Sequence, residues 1–101
     1  MIDAQSLKQR LTQRRVKSID LDGEQVFIRS LKRGEVVQAT QSSDDNDTIA
    51  HRLILMSLCD EAGNRLFSDD EDLDLDIATF VMLSKSVVEF NGLDAEVAEK
   101  N

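Results

Sequence analysis

The chain has no proline, no tryptophan and no tyrosine; it has one cysteine, one histidine, four glycines and four phenylalanines. Each shortage excludes something. A single cysteine cannot close an internal disulfide, so the fold must stand without one, as suits a reducing compartment. One histidine and one cysteine cannot complete a closed zinc site within a chain. The glycines stand alone at 23, 34, 63 and 92, so no glycine-rich phosphate loop exists. Base is scarce: 12 Lys and Arg face 20 Asp and Glu, for a net charge of -8. Duplex nucleic acid is therefore a poor partner, because phosphate binding needs clustered cations. The longest mostly apolar stretch, residues 49–59, carries His51 and Arg52 and is too short to cross a bilayer. No apolar core of a secretion signal is visible at the N-terminus. A cytosolic protein with neither a membrane nor a nucleic-acid partner is expected.

What is present fits one small domain. The 101 residues are 41% apolar and 32% charged, enough for solubility and a thin core. Residues 1–33 hold eight basic and four acidic groups, a balance of +4, whereas residues 34–101 hold four basic and sixteen acidic, a balance of -12. Each half is well solvated, and the asymmetry also suits head-to-tail contact between copies.

The periodicities predict a mainly α fold with a small β-hairpin (α+β): an N-terminal helix, the hairpin, then three helices. The expected domain spans residues 1–93, with the first helix in 1–15, the hairpin in 16–31 and the helical part in 32–90. A mobile acidic tail is expected over 94–101. Asp3 suits a helix cap, with Ala4, Leu7 and Leu11 on one face. Asp22-Gly23 is a two-residue hairpin signal that pairs Ile19 with Val26 and Leu21 with Glu24. Ile19, Leu21, Val26 and Ile28 then share one face, and the hairpin edges are open to pairing with another copy. A short helix is expected from Lys32 to Gln41 and an almost wholly apolar one over 48–59. Ser68 and Glu71 match a capping box, which predicts a long helix from Asp69 or Asp72 to Phe90. Its stripe comprises Leu73, Ile77, Phe80, Val81, Ser84, Val87 and Val88, and Asn91-Gly92-Leu93 should stop it.

Catalytic chemistry finds little support. His51 sits inside the apolar helix with no serine, cysteine or carboxylate at triad spacing, which reads as structural. Cys59 is followed by Asp60 and Glu61, an unfavourable setting for a thiolate, and reads as core. The runs Asp44–Asp47 and Asp69–Asp76 lack calcium-loop spacing and read as caps and solvated surface. Neither a metal nor a cofactor is expected. The apolar helices 49–59 and 73–90 carry much greasy surface for so short a chain. Either the N-terminal helix and hairpin cover it, or other chains do.

The order of features resembles a known family. Val26-Phe27-Ile28-Arg29-Ser30-Leu31 leads into Lys32-Arg33-Gly34-Glu35-Val36. An apolar helix then runs into Ser57-Leu58-Cys59-Asp60-Glu61-Ala62-Gly63-Asn64-Arg65-Leu66-Phe67-Ser68-Asp69-Asp70-Glu71, and a last helix ends Val87-Val88-Glu89-Phe90-Asn91-Gly92-Leu93. Residues 26–93 in this order resemble the tail assembly chaperones of long-tailed, lambda-like bacteriophages and prophages. The resemblance implies a non-enzymatic chaperone of the host bacterial cytoplasm, absent from the mature virion. It implies the tape measure protein and the tail tube protein as partners, and a longer frameshift form of the same chain. The final Glu99-Lys100-Asn101 suits an A-rich slippery sequence.

On that reading Ile49, Leu53, Met56, Phe80 and Val87 are candidate partner-binding residues, covering apolar stripes of a long helix. Lys8, Arg10, Arg14 and Arg15 against Asp69, Asp70 and Asp72 are the candidates for electrostatic contact in a homo-oligomer. The alternative is a small acidic regulator or inhibitor that mimics nucleic acid on a basic surface through its carboxylates.

Overall fold

A computed structural model describes residues 3–93, and the expected acidic tail, 94–101, lies outside them. The elements in chain order are α1 (Ala4–Thr12), β1 (Val16–Leu21), β2 (Glu24–Arg29), α2 (Arg33–Gln41), α3 (Asn46–Ser57), β3 (Leu58–Cys59) and α4 (Ile77–Asn91). Among the described residues, four helices and a small antiparallel sheet, ordered β1-β2-β3, make a mainly helical α+β fold.

The hairpin forms where the Asp-Gly pair predicts it. Asp22 and Gly23 both take positive φ, 53° and 92°, as a type I′ turn requires. The register pairs Ile19 with Val26 and Leu21 with Glu24. Ile28, on the same face, is fully buried in a core it shares with Ile54, Leu58, Leu83 and Val87.

The apolar helix ends two residues earlier than its composition suggests. At Leu58 the backbone turns extended, and Leu58 and Cys59 pair with Ile28 and Phe27. This third strand covers the outer edge of β2, which the sequence leaves open to another copy. Two arginines, buried Arg29 and half-buried Arg65, favour the break. Arg29 Nε donates to the Met56 carbonyl at 2.8 Å and Arg65 Nε to the Leu55 carbonyl at 3.3 Å. Both satisfy carbonyls that a helix end leaves without partners.

The Ser68–Glu71 capping box does not start a helix. The Glu71 N–H donates to the Ser68 carbonyl in a turn, and residues 71–76 run as irregular chain. The helix begins at Ile77, where Asp76 accepts from the Thr79 N–H. The local pattern explains the delay. Asp72-Leu73-Asp74-Leu75-Asp76 alternates with period two, so Leu73 and Leu75 turn to the core while Asp72, Asp74 and Asp76 face water. A helix would instead stack Asp70 on Asp74 and Asp72 on Asp76, like charges at i,i+4. His51 holds the ribbon from below, its Nε2 accepting from the Leu73 N–H at 3.1 Å. The far end of α4 stops at Gly92, left-handed at φ 70°, with the Leu93 N–H returning to the Val88 carbonyl.

Candidate partner-binding surfaces

The five apolar candidates do not share one surface. Met56 and Val87 are 2% and 1% exposed and belong to the core. Packing within the domain uses them up: Val87 shares the core cluster with Ile54 and Leu83, and Met56 is buried outside that cluster. Leu53 and Phe80 are half-buried against the same core, and Ile49 is half-buried on α3. Along the α3–α4 seam, Ala50, Leu53, Ser84, Val87 and Val88 line a cleft of about 30 Å³. The Ser84 hydroxyl is buried there without a hydrogen-bond partner, a cost normally avoided inside a fold. The seam is thus a shallow apolar groove with Leu53 and Val88 at its lip.

The apolar residues that stand out to solvent are others. On α1, Leu7 and Leu11 are exposed, Leu11 to 74%, and no residue of this helix is buried. On α4, Ile77 is 76% exposed and Val81 is exposed with it. Periodicity places Ile77 and Val81 on the apolar stripe of α4. The late helix start and the small size of the domain leave nothing over them. Val37 on α2 and Leu66 are exposed as well.

The charged candidates divide in the same way. Lys8 and Arg10 are exposed on α1, whereas Arg14 and Arg15 are tied down. Arg14 forms a bidentate pair with Glu35 at 2.8 and 3.0 Å and also donates to the Ser30 carbonyl. Arg15 donates to the Phe90 carbonyl at 3.2 Å and lies 4.7 Å over the Phe90 ring. It thereby sits at the negative end of the α4 dipole. Of the carboxylates, Asp69 pairs with Arg65, while Asp70 and Asp72 are exposed, Asp72 with an oxygen 3.8 Å from His51 Nε2.

Glu35 is the electrostatic centre of this end of the molecule. Burial pushes its carboxyl up, but hydrogen bonds from Arg14 and the Lys32 N–H, with the charges of Arg14 and Arg29, outweigh burial and hold it below its ordinary value. The buried Cys59 thiol is pushed up by burial, so it stays protonated and poorly nucleophilic. Among the described residues no group of three or more His, Cys, Asp or Glu side chains converges as a metal site would need. No described helix is long and apolar enough to cross a membrane.

No curated protein and no solved structure matches the chain. A family model for phage tail assembly chaperones matches residues 2–91. That match spans the hairpin, all four helices and every exposed apolar surface described above, and this chain therefore belongs to the phage tail assembly chaperone family.

Proposed function

We propose that the protein binds the tape measure protein, keeps it soluble and helps to recruit tail tube subunits during assembly. The observation that carries this reading is the family match over residues 2–91. The surface chemistry supports it. A tape measure is a long amphipathic helix whose apolar stripes need cover until the tube surrounds it. Half-buried Leu53 and Val88, at the small cleft between α3 and α4, offer such a helix apolar contact, and Ile49 and Phe80 are half-buried on the same two helices. Many weak contacts along one filament add up through multivalency. A net charge of -8 keeps the coated filament dissolved and self-repelling. On this reading the protein acts without catalysis in the host cytoplasm, alongside a longer frameshift form of itself, and leaves before the virion is complete.

The test is co-expression with the tape measure encoded by the same phage. The wild-type chain should hold the tape measure in the soluble fraction and co-purify with it at high salt. Leu53→Asp and Val88→Asp should lose that capture while keeping a native circular dichroism spectrum. The competing reading, an acidic mimic, gains from the exposed carboxylates of Asp70, Asp72, Asp74 and Asp76. It predicts capture that survives both apolar substitutions but disappears at high salt and in an Asp→Asn variant at those four positions.

A further inference from the structure

His51 is the chain's one histidine, and its Nε2 is used as an acceptor. It takes the Leu73 N–H at 3.1 Å, so the ring is neutral and carries its proton on Nδ1. That bond holds the irregular ribbon 71–76, whose Leu73 and Leu75 pack on the core. The same residues also encode a helix. Ser68 and Glu71 are a capping-box pair, and Asp69, Asp70 and Asp72 supply the negative charge that the amino end of a helix favours. In a helix begun there, the Leu73 N–H donates to the Asp69 carbonyl instead, four residues back. Leu73 then stands four residues before Ile77 and eight before Val81, on one stripe. Ile77 and Val81, the part of that stripe already in α4, are exposed.

Opposing contacts keep the balance close. The helix gains a cap and the dipole, but it stacks Asp70 on Asp74 and Asp72 on Asp76 and takes Leu73 and Leu75 off the core. Protonation of His51 acts on this balance at one atom. An imidazolium donates from both nitrogens, so Nε2 would meet the Leu73 N–H donor to donor. An acceptor for the new proton stands by: Asp72 Oδ1 lies 3.8 Å from Nε2, on a side chain that is 92% exposed. The other charges about His51 are few. On α3 they are Asp47, one turn earlier, and Arg52, the next residue; on the ribbon they are Asp70, Glu71 and Asp74. α4, packed on α3, has no charged side chain before Lys85. α2, also packed on α3, carries only Arg33 and Glu35, and Glu35 is taken up by Arg14 and Arg29.

We propose that residues 69–76 are a two-state segment latched by neutral His51. Protonation of the ring releases the ribbon, and α4 grows back to Asp69 under the Ser68–Glu71 cap. The change draws Leu73 off the core and into line with Ile77 and Val81, so the exposed apolar stripe of α4 lengthens by one turn. Asp72 takes the imidazolium proton as the backbone bond is lost. The proposal concerns the chain alone and does not depend on which partner it binds.

The experiment is an NMR titration of the full chain from about pH 8 to about pH 5, the range in which a histidine changes charge. In the wild type the backbone shifts of residues 69–76 should move from non-helical to helical values. The change should share its midpoint with the signals of the His51 ring. His51→Gln keeps an acceptor oxygen and cannot titrate, so its ribbon should persist throughout. His51→Phe keeps a flat ring without an acceptor, so its segment should be helical at both ends of the range. Adding Ser68→Ala to His51→Phe should undo the first turn of that helix, whereas Ser68→Ala alone should leave the ribbon at pH 8 unchanged. A ring that titrates while 69–76 keep ribbon shifts overturns the proposal. So does release into disordered chain, a midpoint that departs from that of the ring, or a His51→Gln protein that switches like wild type. If His51→Phe does not fold, the wild-type and His51→Gln titrations decide the matter alone.

Discussion

Glu35 ties three stretches of chain together. It accepts two bonds from Arg14, which precedes the sheet, one from Arg29 in β2, and one from the Lys32 N–H at the start of α2. Glu35→Gln removes the charge but keeps the size. It leaves Arg29, whose side chain is 11% exposed, without its counterion. The expected loss is about 1–3 kcal/mol of stability, read by urea unfolding at neutral pH. The pH dependence follows from the sign of the shift. Glu35 is held below its ordinary value of 4.5, so its contribution is complete above that value and fades as the pH falls through the lower folded one. Wild-type stability should therefore decline on acidification below that value, and the Glu35→Gln protein should show a shallower decline. Equal slopes would show that the pair contributes nothing.

At the scale of elements, most starts and stops were visible in short motifs, because caps and turns are settled by neighbouring residues. Asp3 caps α1, Asp22-Gly23 turns the hairpin, and Gly92 stops α4, each where local chemistry places it. The start of α4 was not visible. Two signals compete there, a capping box at Ser68 and Glu71 and a period-two alternation over 72–76. The alternation prevails because His51 and the core reward Leu73 and Leu75 in non-helical chain. The two candidate caps are separable by experiment. Asp76→Ala should cost about 1 kcal/mol, as loss of a helix cap does, whereas Ser68→Ala should change the urea midpoint little. The reverse ranking would put the helix start back at residue 69. The third strand was equally hidden. Leu58 and Cys59 read as the end of an apolar helix, and only the edge of β2 and the two arginines at the Met56 and Leu55 carbonyls make them a strand.

For the whole molecule, the balance of charge and the excess of apolar surface set the behaviour. The basic first third divides between Arg14 and Arg15, which anchor the chain to its own body, and Lys8 and Arg10, which stay exposed on α1. Removing residues 1–12 should therefore leave the fold nearly as stable as before, within about 0.5 kcal/mol by urea unfolding, since surface changes away from buried features cost little. A large loss would mean that α1 covers the core in solution.

Much of the protein was already determined by its residues in order. The residue order carried the family, the α+β class and the hairpin register, because all of these depend on neighbours a few positions apart. Which apolar side chains remain outside was decided only by the tertiary structure. Met56 and Val87 belong to the same greasy helices as Leu53 and Val81, and periodicity treats them alike. Burial depends on what packs opposite. The folded chain encloses the first two, half-covers Leu53 and leaves Val81 facing water.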